Sequence, residues 1–151
     1  MDNVNVKIDL PDGPMSEQEI FDVVVAHLAQ QKRASQVNDH CKYRGPNGLM
    51  CGIGPLFHDS EYDPVIEGYQ IDKVLKKASE LALWREGRGA TVCARLGHAV
   101  ELLVKLQDAH DMARSLIGLR VELRTVASEH GLNAYSVRMV ESWSYGPEGE
   151  P

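Results

Sequence analysis

The chain has 151 residues, 43% of them apolar and 25% charged, which suits one domain with a single buried core and excludes a disordered polymer. Its 16 basic residues against 22 acidic ones leave a net charge of −6, and that balance excludes a general binder of the phosphate backbone, which needs a basic surface. Three cysteines, an opening with no apolar signal core and no apolar run near the roughly 20 residues of a membrane span predict a cytoplasmic protein with free thiols and no membrane segment.

In chain order, residues 4–10 read VNVKIDL, with Val4, Val6, Ile8 and Leu10 on one face. Period two predicts a strand, ended by Pro11-Asp12-Gly13-Pro14. Ser16-Glu17-Gln18-Glu19 then has the spacing of a capping box, with Met15 and Ile20 placed as a hydrophobic staple. Ile20, Phe21, Val24, Val25 and Leu28 form the apolar stripe of a helix running to about Lys32.

After a polar connection at 33–40 comes CKYRGPNGLMC, residues 41–51. Gly45-Pro46-Asn47-Gly48 is turn chemistry between two short apolar arms, which predicts a β-hairpin. Two registers are open: one points Cys41 and Cys51 to opposite faces, and a bulge at Gly48 makes them direct cross-strand neighbours. Residues 54–69, with two prolines and two glycines, read as an irregular loop holding at most a helical turn.

Helical period returns at Ile71, Val74, Leu75, Ala78, Leu81 and Ala82, with Gly87 as terminator. A long helix follows from about Thr91 to Ala109, lined by Leu96, Ala99, Val100, Leu103 and Leu106. Asp111 or Ser115 starts the next, with Leu116, Leu119 and Leu123 inward and His130-Gly131-Leu132 as its stop. Residues 134–143, AYSVRMVESW, alternate like a closing strand. The expected fold is therefore α+β: about four helices packed around a central β-hairpin, with short extended segments at both termini. It forms one domain over residues 1–145, followed by a flexible tail at 146–151.

Three chemistries suit these residues. Cys41 and Cys51 could share a zinc ion with His40, His58 or His110, although nine intervening residues exceed the two to four that aim paired sulfurs from one turn. Small soft side chains filling the underside of a hairpin is the simpler reading, so no metal and no cofactor is expected. A cysteine nucleophile at Cys41 or Cys51 would need His110 as its base and Asp111 as orienter. Adjacent helical residues diverge by about 100°, so Asp111 is expected to cap the following helix and His110 to sit in the core. Finally, Tyr43 and Arg44 on the turn, with Glu67 on the loop beyond, form a candidate ligand-binding set, because arginine forks onto carboxylate or phosphate and tyrosine adds a stacking face. No nucleotide-binding glycine pattern, GxSxG elbow or HExxH is present.

The segments EIFDVVVAHL, CKYRGPNGLMCGIG, EYDPVIEG and LQDAHD, in that order, resemble an uncharacterised family of small bacteriophage and bacterial proteins. Its pattern is a helix, a CxYR-turn-GLxCAIG hairpin, an EG pair and a later LQxxHD segment. Cys41, Tyr43, Arg44, Gly48, Cys51, Gly54, Glu67, Gly68, His110 and Asp111 fall on that pattern. Gly52 and Pro55 depart from it, where alanine and a further cysteine are usual. The resemblance implies a phage-related accessory protein that binds a host protein or a small ligand, with a counter-defence or host-modulating role. A small Cys/His-dependent enzyme and a structural zinc protein are the alternatives.

Overall fold

A computed structural model describes residues 10–37, 40–80 and 88–143. Helix α1 (Glu17–Gln31) starts as its sequence dictates. The Ser16 hydroxyl accepts from the Glu19 N–H at 3.1 Å while the Glu19 carboxylate accepts from the Ser16 N–H at 3.2 Å. Ile20, Phe21, Val24, Val25 and Leu28 are all buried, and the helix stops where Lys32 turns left-handed at φ 65°.

The other helices are α2 (Ile71–Glu80), α3 (Arg88–Leu96), α4 (Val100–Met112) and α5 (Leu116–Glu129). The single helix expected from about Thr91 is broken in two by a 3-10 turn at Gly97–Ala99. Glycine weakens the helix there, and the His98 ring is anchored on the Met15 carbonyl at 2.6 Å. Ser115 starts α5, its hydroxyl accepting from the Gly118 N–H. Gly131, at φ 64°, stops it, and the Leu132 N–H returns to the Ala127 carbonyl. Leu81, Ala82 and Gly87 lie outside the described residues, as do residues 4–9 of the expected first strand and the tail at 146–151.

Helix α2 packs on α3 and α4, and α4 packs on α5. Leu102, Leu103, Leu106, Leu119 and Leu123 join the α1 stripe in one apolar core. None of the described helices is long and apolar enough to cross a membrane.

The fold is all-α, which overturns the α+β expectation. Among the described residues the only strands are two of two residues each, which pair Gln36 with Cys41 and Val37 with His40, and the expected hairpin at 41–53 does not form. Beyond the tight closure of the turn itself, one bond joins the two arms, from the Cys51 N–H to the Lys42 carbonyl at 3.0 Å. The other peptide groups are held elsewhere. The Glu67 carboxylate takes the Tyr43 and Arg44 N–H groups, and the Gly45 N–H closes a tight turn on the Leu49 carbonyl. The Gln31 amide takes both the N–H and the carbonyl of Met50. Ladder formation needs those same groups, so the hairpin loses to side-chain partners.

The expected closing strand is also absent. Tyr135–Met139 is a 3-10 turn that packs against α1 and α5. Val137 and Val140, three residues apart, are its buried positions, and the Asn133 side chain starts it by accepting the Tyr135 N–H at 2.7 Å.

Candidate functional site

Between Cys41 and Ile71 the chain makes only short 3-10 turns, yet this long segment is densely tied down. Glu67 is its hub. Oε1 accepts the Tyr43 N–H at 2.9 Å, and Oε2 accepts the Arg44 N–H at 3.2 Å and the Tyr62 hydroxyl at 2.8 Å. A carboxylate accepts only, so one side chain satisfies three donors that the irregular backbone would otherwise leave unpaired. Burial and the bond to Glu67 push the Tyr62 phenol up to about 12.

Arg44 works in the opposite sense. Its guanidinium donates to the carbonyls of Gly54 at 2.7 Å and Phe57 at 3.1 Å, reaches Asp59 at 3.4 Å, and lies 5.4 Å from the Tyr62 ring centroid. Only 18% of that side chain is exposed. Tyr43, buried beneath it, donates its hydroxyl to the Tyr69 carbonyl at 2.7 Å and accepts from the Gln107 amide at 3.0 Å. The Gln107 oxygen in turn accepts the first N–H of α2, from Ile71, at 2.9 Å. Burial first, and then the neighbouring Cys51, raise the Tyr43 phenol far above its ordinary range.

Gly54 shows how closely this knot is packed: a Cβ there would stand 2.7 Å from the Tyr43 carbonyl and 2.8 Å from the Met50 side chain. Asn47 at φ 58° and Gly48 at φ 76° form the turn expected of them, without strands to connect.

The thiol and the imidazole are also placed. Cys51 is buried, and burial pushes its thiol up to about 12 despite stabilising N–H groups from Ile53 and Gly54. His110 is fully buried, and both of its nitrogens are engaged. Nε2 lies 3.0 Å from the Ser35 N–H and Nδ1 lies 2.8 Å from Asp111 Oδ1. A backbone N–H can only donate, so Nε2 accepts and Nδ1 carries the proton to Asp111. At the last turn of α4, Asp111 therefore does orient His110, against the sequence expectation. Ser35, His110 and Asp111 have the residue types of a hydrolase triad but not its geometry, because the Ser35 hydroxyl donates to the Lys42 carbonyl. Neither imidazole nitrogen is left for Cys51.

Among the described residues no three His, Cys, Asp or Glu side chains stand where they could hold a metal ion. His58 bonds the Leu10 carbonyl at 3.3 Å. The side chains of His40 and Cys41 lie outside the described part of the structure.

The structure thus brings Tyr43, Arg44 and Glu67 into one cluster and turns their polar atoms inward. Sequence reasoning missed Ser35, Tyr62 and Gln107, and it missed the ion pair that pins the far end of the segment. There Arg95 is fully buried and grips the Glu61 carboxylate with both terminal nitrogens at 2.8 and 3.0 Å, while also donating to the Leu56 and Pro11 carbonyls. Burial alone would raise Glu61, but Arg95 and the His58 N–H outweigh it and hold the carboxyl below its usual range. A signal was available for two of these residues. Arg95 and Gln107 are polar at positions where the helical period demands an apolar side chain.

Among the described residues, what remains outward on this segment is Asn47, Gly48, Asp59, Ser60, Pro64, Val65, Gly68, Tyr69 and Gln70. Val65 is 44% and Tyr69 41% exposed, so two large apolar groups stand in solvent on a firmly held support. Comparison with protein-family models, with curated proteins and with solved structures finds no match to this chain.

Proposed function

We propose that this is a phage-related accessory protein that works by binding a host protein or a small ligand on the platform formed by residues 42–70. One observation carries the reading. A segment this long with no α-helix or strand, only short 3-10 turns, is uncommon in a compact domain and is ordinarily either disordered or functional. Here side chains from α1, α3 and α4 hold it through Gln31, Arg95 and Gln107. Such investment in order favours a recognition surface, since preorganised groups lose less freedom on binding. Tyr43, Arg44 and Glu67 act in this reading as the internal frame of the surface, and Val65 and Tyr69 as its contact groups. A Cys/His enzyme is disfavoured because the Cys51 thiol is buried and both His110 nitrogens are committed elsewhere.

The test is affinity capture of a partner from host extract, followed by measured affinities for two double variants. Val65→Ser with Tyr69→Ser is expected to weaken binding at least tenfold without shifting the melting temperature. Ile117→Ser with Val121→Ser alters the exposed apolar pair on α5, 74% and 53% exposed, and is expected to leave binding intact. The reverse pattern would move the interface to α5 and sink the reading.

A further inference from the structure

We propose that residues 10–15 are a strap that imposes the break between α3 and α4, and that lifting it joins the two helices and frees the far end of the platform. This device stands whether or not the platform takes a partner. The apolar period runs straight through the break: Val92, Leu96, Ala99, Leu103 and Leu106 recur at alternating steps of four and three, and all are buried. Nothing at Gly97 itself demands a bend. Its φ is not left-handed, and a Cβ built there meets nothing within 4 Å. Glycine only makes the unbroken helix somewhat less favourable. The departure from helical angles lies at Leu96, with φ −119°, and Ala99, with φ −116°.

Residue 15 supplies what the broken helix gives up. In an unbroken helix the Arg95 carbonyl accepts from the N–H four residues on, that of Ala99. Here it accepts from the Met15 N–H at 3.1 Å, while the Met15 carbonyl accepts from His98 Nε2 at 2.6 Å. The bent and the straight helix thus both satisfy the Arg95 carbonyl, by Met15 in one and by Ala99 in the other, so neither leaves it unpaired. A 3-10 stretch inside a longer helical pattern is a common place for a hinge.

The same strap reaches the platform. The Pro11 carbonyl accepts from Arg95 Nε at 2.6 Å, and the Leu10 carbonyl bonds the His58 ring at 3.3 Å. Arg95 stands in the last turn of α3, and its terminal nitrogens hold Glu61 and the Leu56 carbonyl. The direction of α3 at the break therefore decides where that guanidinium points. The strap is lightly fixed in turn. Pro11, Asp12, Gly13 and Pro14 are exposed, Leu10 and Met15 alone are buried, and every bond named here uses its main chain.

The experiment is hydrogen exchange on the whole chain, read amide by amide by NMR, for His98→Ala, Gly97→Ala and the two combined. His98 is exposed and Gly97 has room for a methyl group, so circular dichroism should show all three folded. The double variant is expected to slow exchange at 97–100, as these amides enter one continuous helix. It should also speed exchange at least tenfold at the bonded N–H groups of Leu56, Phe57, His58 and Glu61, with α5 unchanged. Each single variant should move both regions the same way by less. His98→Gln, which can still donate to the Met15 carbonyl, should keep the wild-type pattern. Slower exchange at 97–100 with residues 56–61 unchanged would uncouple the break from the platform and overturn the strap's role. No change in either region, or faster exchange at 97–100 and in α5 together, would overturn it as well, since the break would then not depend on the clasp at Met15.

Discussion

Residues 42–70 and the helix pair α4–α5 are held together by opposite means. The helices meet through Leu102, Leu103, Leu106, Leu119 and Leu123, whose attraction is non-directional and tolerates exchange among apolar residues of similar volume. The segment is held by named donor–acceptor pairs around Glu67, Arg44, Gln31 and Arg95, where each removal strands a specific partner. A helix satisfies its own backbone and can spend its side chains on packing. An irregular segment cannot, and so it borrows side chains from the helices around it.

The sharpest break of this contrast is Arg95→Leu. It leaves the Glu61 carboxylate buried without its counter-charge and strands the Leu56 and Pro11 carbonyls, for an expected loss of about 3–5 kcal/mol. Adding Glu61→Leu should restore part of that loss, because the stranded charge goes with it. Urea unfolding of the wild type and the two variants at unchanged slope measures both effects. A double variant no better than Arg95→Leu alone would mean that the carbonyls, not the charge, dominate.

On the helical side Leu103→Ala should cost roughly 2–5 kcal/mol and Leu103→Met less than about 1.5 kcal/mol. The informative difference lies in what opens. Hydrogen exchange should show Leu103→Ala lowering protection throughout the core. Glu67→Gln, an isosteric change that puts an amide donor among three donors, should cost about 1–3 kcal/mol and raise exchange chiefly at 42–70. Uniform loss of protection in Glu67→Gln would show that the segment and the helices open as one unit.

How far the sequence reveals all this follows the same division. Helices α1 and α5 are legible because each carries its own signals: a capping box at Ser16 and an apolar stripe for α1, and for α5 a stripe, a start left open between Asp111 and Ser115, and a stop at Gly131. The segment is not, because its partners are remote. Glu67 is 24 residues from Tyr43, and Gln107 is 64 residues from it. Turn residues at Asn47 and Gly48 correctly mark a reversal, but only distant side chains decide whether the arms pair with each other. The false strand at 134–143 has a local cause. Alternation of Tyr135, Val137 and Met139 mimics period two, whereas the buried pair is Val137 and Val140. Of the candidate site, Tyr43, Arg44 and Glu67 could be named from pattern, but that their polar atoms turn inward could not.

The smallest effect expected concerns acid. His27 on α1 lies 3.3 Å from the Met50 carbonyl, at the edge of the same segment. Burial holds its pKa below the ordinary 6.5; the bond to Met50 opposes this, and the nearby His110 and Arg44 reinforce it. The unfolded chain therefore takes up a proton near pH 6.5 that the folded chain refuses until lower pH. Stability contributed by neutral His27 is whole above pH 6.5, falls as pH drops through that window, and levels off once the folded ring also protonates. The slope there is bounded at about 1.4 kcal/mol per pH unit for one proton. Glu61 has its own, lower window, since a carboxyl held below 4.5 loses its contribution only as pH falls beneath that value. Unfolding free energies of the wild type and of His27→Gln between pH 7 and 5 separate the two, because glutamine can still reach Met50 but does not titrate. A slope in that range that persists unchanged in His27→Gln would place the acid sensitivity elsewhere.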